Sequence, residues 1–150
     1  MAELKAVAKL RALVAGRQTF ANCQWRAAFD MFSEADSESD LGAEDLEKLG
    51  NAAYLIGRDD EAIAAWTRAH NAFVEQDDCP RAARVGFWLS LCLLLGGNGA
   101  QSSGWLSKCQ RLISDRQGEC AEHGLLLVVS GLFSMFKGQG EEARSQFEQA

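Results

Sequence analysis

The sequence predicts an all-α protein. Pro occurs once in 150 residues, at Pro80, and Ala, Leu and Glu, which favour helix, are abundant. Apolar residues also recur at the i, i+3, i+4 and i+7 spacing of one helix face. Because 47% of the residues are apolar and 24% are charged, a chain of this length can bury a core. We therefore expect a single helical domain over residues 1–150.

The first predicted element is a helix at the amino end, followed by a second helix in a hairpin over 3–37. Residues 1–16, MAELKAVAKLRALVAG, interleave charged and apolar residues. The pattern predicts an amphipathic helix and lacks the uninterrupted apolar core of a signal peptide. Secretion is therefore not expected.

The second hairpin, over 43–77, has the clearest pattern. Its segment 46–69 reads LEKLGNAAYLIGRDDEAIAAWTRA. Gly57 can end one helix in a left-handed turn, and the acids that follow can begin the next, so we expect helices over 45–56 and 60–73. Gly50 lets the two helices approach closely, and Trp66 fills the gap between neighbours.

The third and fourth hairpins are predicted over 80–116 and 119–150. Pro80 suits a helix start, where its missing N–H costs nothing. The uncharged apolar runs at 85–95 and 125–136 are too short to cross about 30 Å of hydrocarbon and predict buried helices. The segment GGNG at 96–99 follows a helix and lacks the Lys of a phosphate loop, so it predicts a turn.

One set of spacings recurs in all four hairpins. In the second hairpin, five small or aromatic residues follow one another at intervals of 7, 5, 4 and 3 residues, and three other segments repeat these intervals. The first members of successive sets are 34, 40 and 41 residues apart. The sets are Gly16, Cys23, Ala28, Phe32, Ala35; Gly50, Gly57, Ala62, Trp66, Ala69; Ser90, Gly97, Ser102, Leu106, Cys109; and Gly131, Gly138, Ala143, Phe147, Ala150.

These motifs resemble the tetratricopeptide (TPR) signature, W-x2-L-G-x2-Y…A-x3-F. The segment LEKLGNAA…AIAAW follows it with Leu46 in the Trp place, Ala53 in the Tyr place and Trp66 in the Phe place. The resemblance implies a right-handed α-α superhelix, a TPR-like solenoid of about four hairpins that binds proteins.

A narrower resemblance concerns residues 52–73 and 83–112. They resemble the helical-repeat regions that precede LuxR-type helix-turn-helix domains or cyclase-linked domains in bacterial regulators. This resemblance implies a regulatory interaction module, and we expect the 150 residues to be the N-terminal part of a longer protein.

The net charge of −6 is concentrated in one acidic segment, residues 36–47, which holds six acids and no base. The remaining 15 acids and 15 bases balance, so no basic stripe is available for nucleic acid or anionic lipid. The segment has two interpretations, a solvated loop leading into a helix N-terminus or a docking patch for a basic partner. Its acids are Asp36, Glu38, Asp40, Glu44, Asp45 and Glu47.

The residues that could carry chemistry form no catalytic or metal-binding motif. The five cysteines are spread and contain no C-x-x-C pair, which indicates reduced thiols in a cytoplasmic protein. His70 and His123 have no companion at ligand spacing. Cys109 occupies a position where the other three hairpins carry Ala, so we expect it to pack in the core. We therefore predict that the protein is not an enzyme and takes no cofactor or metal.

The TPR resemblance also implies a binding surface, because the first helix of each TPR hairpin lines a concave groove. The groove would change from acidic and polar in the second hairpin to apolar in the third and fourth. An apolar patch typically marks a partner site, although further repeats or a second copy could cover it. The candidate residues are Glu44, Glu47, Asn51, Tyr54, Phe87, Leu91, Leu94, Leu95, Val128, Leu132, Met135 and Phe136.

Two functions fit these observations. The first is a scaffold that binds a protein or peptide partner. The second is a sensor that binds an apolar small molecule between hairpins three and four and controls an output domain outside this chain. The apolar surface of these hairpins also predicts a homodimer through them.

Overall fold

The computed structural model describes residues 1–114 and 120–150, apart from the side chains of Ala2 and Lys5. The predicted end of the third hairpin at 116 and start of the fourth at 119 lie outside the described residues. Within the described part, the chain forms eight α-helices and no strand, which confirms the all-α prediction. The helices are α1 (Ala2–Ala21), α2 (Trp25–Glu38), α3 (Ala43–Leu55), α4 (Asp59–Glu75), α5 (Cys79–Leu95), α6 (Gly99–Ser114), α7 (Ala121–Phe136) and α8 (Gly140–Gln149).

The turn inside each hairpin lies at the position that the repeat spacing predicted. The φ angle is positive at Cys23 (57°), Gly57 (77°), Gly97 (84°) and Gly138 (76°). After Gly57, the N–H of Arg58 donates to the carbonyl oxygen five residues earlier at 2.9 Å, as in a Schellman helix end. Cys23 adopts this conformation although a side chain there costs roughly 1–2 kcal/mol.

The start of α5 follows from its own residues. Asp78 precedes the helix, and its Oδ1 accepts a hydrogen bond from the backbone N–H of Arg81 at 3.2 Å. Pro80 is the second residue of the helix, where an intrahelical N–H bond is not needed. The prediction that Pro80 lies at a helix start is confirmed.

The chain divides into two compact units, unit 1 (Met1–Ala72) and unit 2 (Phe73–Ala150). Unit 1 contains α1, α2, α3 and most of α4, whereas unit 2 contains the end of α4 and α5 to α8. The assignment of 1–150 to one domain stays a prediction.

In unit 1, glycines bring paired helices together against aromatic rings. A Cβ built on Gly16 would lie 3.1 Å from Cδ1 of Phe32, and one built on Gly50 would lie 2.5 Å from Nε1 of Trp66. Phe32 and Trp66 are both buried. The Gly50 position therefore has no room for a side chain, because the indole ring occupies that space.

In unit 2, the same repeat position is filled in two ways. Gly131 of α7 faces Phe147 of α8, and a Cβ there would lie 2.5 Å from Cε1 of that ring. In α5 and α6, Ser90 and Ser102 are buried instead and exchange hydrogen bonds: each Oγ donates to the other residue's carbonyl oxygen, at 2.8 and 2.6 Å. The core cluster of the unit is Ala83, Phe87, Leu94, Leu106, Cys109, Ile113, Leu126 and Val129.

Candidate functional site

The predicted groove residues of unit 1 all lie on α3. Asn51 is half-buried, and its Oδ1 accepts a hydrogen bond from Nε1 of Trp66 at 3.0 Å. The ring of Tyr54 lies 5.6 Å from that of Trp66, centroid to centroid. Glu44 is exposed, and Glu47 is half-buried. Asn51 and Tyr54 therefore contact the Trp66 ring, and Glu44 is the most exposed residue of this set.

Two predicted groove residues of unit 2 belong to its core. Phe87 and Leu94 are buried, in the same cluster as Leu126 and Val129 of α7. The first helices of hairpins three and four, α5 and α7, contact each other, and these side chains fill the contact. Phe87 and Leu94 are therefore core residues and are not exposed to a partner.

The remaining groove candidates of unit 2 form what we call the α5–α7 surface: Leu91, Leu95, Val128, Leu132, Met135 and Phe136. Leu91, Val128 and Leu132 are half-buried. Leu95, Met135 and Phe136 are 58%, 49% and 60% exposed. Leu95 is the last residue of α5 and Phe136 the last of α7, so two helices in contact each end in an exposed apolar side chain. Exposed large apolar side chains in one region are informative, because they typically mark an interaction site.

The acidic segment has a structural role that neither sequence interpretation anticipated. Asp45 is buried, and its two carboxylate oxygens accept hydrogen bonds from Nε and a terminal nitrogen of Arg17 at 2.9 and 2.7 Å. Arg68 donates to both oxygens of Asp36 at 2.6 and 2.9 Å, and to Asp40 at 3.2 Å. These hydrogen bonds from Arg68 lower the pKa of Asp36.

The loop inside this acidic segment is also held by a lysine. Nζ of Lys9 donates to the carbonyl oxygens of Ser39 and Asp40 at 3.0 and 2.9 Å, and to the Ser39 hydroxyl. The segment is therefore not simply a solvated loop, and Asp36, Asp40 and Asp45 already bind arginines of unit 1. These pairs could not be predicted from sequence spacing, because Arg17 and Arg68 are 28 and 32 residues from their main partners.

The structure also contains a cavity in unit 2, between hairpins three and four, where the sequence suggested an apolar ligand; none of its lining residues was among the candidates. Its volume is about 570 Å³, and residues of α6, α7 and α8 and the Lys137 that follows α7 line it. Ser, Gln and Lys side chains dominate the lining, with Phe133 and Leu106 as its large apolar members. The lining residues are Gly99, Ser103, Leu106, Gln110, Ser130, Phe133, Ser134, Lys137 and Gln146.

The residues that could carry chemistry differ in burial. Cys109 is buried, and burial raises the pKa of its thiol to about 11, so the prediction that it packs in the core is confirmed. His70 is buried in unit 1, whereas His123 is exposed in unit 2. Among the described residues, no group of three or more His, Cys, Asp or Glu side chains is placed to hold a metal ion. None of the described helices has the length and apolar character needed to cross a membrane.

The chain matches no known protein-family model, and no curated protein matches it. The solved structures that are similar to it include those of MamA and YrrB. The crystal structure of MamA has a TM-score of 0.72 at 18% sequence identity, over 93% of this chain and 74% of MamA. The structure of YrrB, described as a TPR protein with an unusual peptide-binding site, has a TM-score of 0.73 at 18% identity, over 96% of this chain and 68% of YrrB. The chain therefore has the TPR-like helical-repeat fold that the sequence predicted.

Proposed function

We propose that this chain is a non-catalytic interaction module that binds a protein or peptide partner at the α5–α7 surface of unit 2. The observation that carries the proposal is the exposure of Leu95, Met135 and Phe136 on two helices in contact with each other. Burying such side chains against a partner is favourable by about 25 cal/mol per Å² of apolar surface. The partner segment is therefore expected to present apolar side chains.

The fold supports this proposal. The TPR resemblance implies a groove lined by the first helix of each hairpin, and YrrB, whose fold this chain shares, is described as having a peptide-binding site. Glu44 and Glu47 on α3 of unit 1 form a separate candidate contact, suited to a basic side chain of a partner. The scattered cysteines support a cytoplasmic location, and the sequence resemblance to bacterial regulators supports a regulatory role.

A second copy of the chain is the alternative occupant of the α5–α7 surface. A homodimer through hairpins three and four would cover the same exposed side chains. Ligand sensing is the second candidate function, and the cavity of about 570 Å³ in unit 2 favours it. Its many polar lining residues do not suit the apolar ligand that the sequence suggested.

The experiment that tests the proposal is selection of peptides from a random displayed library with the 150-residue protein. Selected peptides should be rich in apolar residues and should lose affinity at least about tenfold for Phe136→Ser, because the variant removes one large apolar anchor. Val74→Ser is the matched control, since Val74 is also an exposed apolar residue of unit 2 but lies on α4.

Two outcomes would count against peptide binding at this surface. Equal loss of affinity in the Phe136→Ser and Val74→Ser variants would remove the α5–α7 surface as the site. Sedimentation that shows a dimer in the wild type and a monomer in Phe136→Ser would make a second copy the occupant.

A further inference from the structure

The two units contain the same groove between successive hairpins, and they fill it differently. Residues at the same distance from the first residue of their repeat sets are equivalent. This alignment pairs α2 with α6, and the hairpin α3–α4 with α7–α8. In unit 1 this groove holds a cavity of about 220 Å³, and in unit 2 it holds the cavity of about 570 Å³. Four lining positions are common to both: Phe29 and Ser103, Asp36 and Gln110, Leu49 and Ser130, and Ala65 and Gln146.

The larger volume in unit 2 coincides with the loss of large apolar side chains. Phe29 and Leu49 are buried in unit 1, and serines take their places in unit 2. Gly99 occupies the position equivalent to Trp25, whose ring packs 5.2 Å from that of Phe20. A Cβ at Gly99 would have its nearest neighbour at 3.8 Å, on Phe133. The space is therefore open because the sequence of hairpins three and four omits the side chains that fill it in unit 1.

The lining of the unit 2 cavity is rich in hydrogen-bonding groups. Three serine hydroxyls, from Ser103, Ser130 and Ser134, and two glutamine amides contribute to it. Some of these groups already have partners: Ser134 donates to Oε1 of Gln146 at 2.9 Å. Ser130 donates to the carbonyl oxygen of Leu126 at 3.1 Å and accepts from Nε2 of Gln110 at 3.4 Å. The Ser103 hydroxyl and the side-chain N–H groups of Gln146 remain as donors toward a ligand. A polar cavity of this size takes water or a polar ligand, whereas an apolar void of the same volume would only cost stability.

The charges of the two cavities differ in sign and in pairing. In unit 1, Arg68 binds Asp36 and Glu61 binds Arg58, so each charged lining residue has an opposite charge beside it. In unit 2, Lys137 is the charged residue of the lining, and no carboxylate lines the cavity among the described residues. The contact found for its ammonium group is the ring of Phe133, 6.0 Å from the centroid. A cation beside hydroxyl and amide donors suits a carboxylate.

From this geometry we infer that the unit 2 cavity binds an acidic peptide segment, whose Asp or Glu carboxylate is held by Lys137, the Ser103 hydroxyl and the side-chain amide of Gln146. A volume of about 570 Å³ is within the usual range for binding pockets and accommodates a side chain with its backbone. The site is separate from the α5–α7 surface. The helical period places Ser130 and Lys137 on the side of α7 opposite to Leu132 and Met135.

The test uses the 150-residue protein labelled with ¹⁵N and two peptides, acetyl-GSEESG-amide and acetyl-GSQQSG-amide. The side-chain amide signals of Gln110 and Gln146 report on the cavity directly. They should shift with the Glu peptide and not with the Gln peptide. Lys137→Met should weaken binding of the Glu peptide about tenfold, because it removes a charge-assisted hydrogen bond.

Lys108→Met is the matched control for charge. Lys108 is an exposed lysine of unit 2 that also lies over an aromatic ring, 4.6 Å from the centroid of Trp105, and it does not line the cavity. This variant should bind the Glu peptide as the wild type does. The double variant Ser103→Phe/Ser130→Leu restores the residues of unit 1 and should abolish binding; circular dichroism checks that it stays folded.

Three results would overturn the inference. These are equal shifts with the two peptides, equal affinity of Lys137→Met and Lys108→Met, or a folded Ser103→Phe/Ser130→Leu variant that still binds. Binding of N-acetylglutamate as tightly as the Glu peptide would overturn the peptide assignment and give the site to a free carboxylate. None of these variants alters the α5–α7 surface, so this test and that of the proposed function fail independently.

Discussion

Units 1 and 2 use the same repeat but are stabilised by different interactions. Unit 1 has two arginine–carboxylate pairs that join separate helices, Arg17 with Asp45 and Arg68 with Asp36. In unit 2, the ion pairs described between its residues are local ones within a turn of helix, such as Arg144 with Glu148. Its α5 and α7 carry apolar runs instead, and these build a core that three helices share.

This difference shows which repeat positions determine geometry and which are free to change. The left-handed turn and the close contact between paired helices recur in both units. The residues between hairpins differ, so the groove of unit 1 holds a cavity of about 220 Å³ and that of unit 2 a polar cavity of about 570 Å³. The variable positions are therefore the ones from which a binding site can be built without changing the fold.

The largest expected effect comes from adding one methyl group to each unit at the equivalent glycine. Gly50→Ala should lower the free energy of unfolding by about 3 kcal/mol, because Trp66 is only 1% exposed and cannot move away. Gly131→Ala should cost about 1 kcal/mol or less, because Phe147 is 40% exposed and can rotate. Urea unfolding of both variants measures the difference, and equal costs would show that the two contacts are equally rigid.

The next effect tests whether polar pairs stabilise unit 1. Arg17→Met removes both donors to the buried carboxylate of Asp45 and should destabilise the protein by about 2 kcal/mol. Asp45→Asn in the same background should recover part of this loss, since it removes the unpaired charge. Thermal unfolding of the two single variants and the double variant gives the coupling, and additive effects would contradict a direct pair.

The smallest effect is a pH dependence specific to unit 1. Arg68 lowers the pKa of Asp36 in the folded state, so the pair contributes its full stability above the unfolded pKa of about 3.9. This stability is lost as the pH falls through the folded pKa. The contribution should be about 0.5 kcal/mol, since solvent screens a partly exposed pair. Comparing urea unfolding of the wild type and Asp36→Asn at pH 7 and pH 3 measures it. A difference that grows towards low pH would have the wrong sign.

The sequence by itself determined the helices, the turns and the register of the repeat. The features that determine them act within one hairpin, over short sequence distances. They are a left-handed turn residue and, in the second and fourth hairpins, a glycine at the helix contact with an aromatic residue 16 positions after it. Local interactions of this kind produce a repeated residue pattern that can be recognised in a single sequence. For the same reason the helix ends observed at Leu55 and Glu75 lie within two residues of those expected at 56 and 73.

Only the tertiary structure decided which residues of each face are buried and which charges meet. Phe87 and Leu94 have the spacing of groove residues, but the contact between α5 and α7 buries them. Asp45 belongs to an acidic run, yet an arginine 28 residues away makes it a structural residue. The lining of the unit 2 cavity could not be read from the sequence, because Gly99, Ser103 and Ser130 open the space by being smaller than Trp25, Phe29 and Leu49 at the equivalent positions of unit 1. An absent side chain has consequences only where a second hairpin packs beside it.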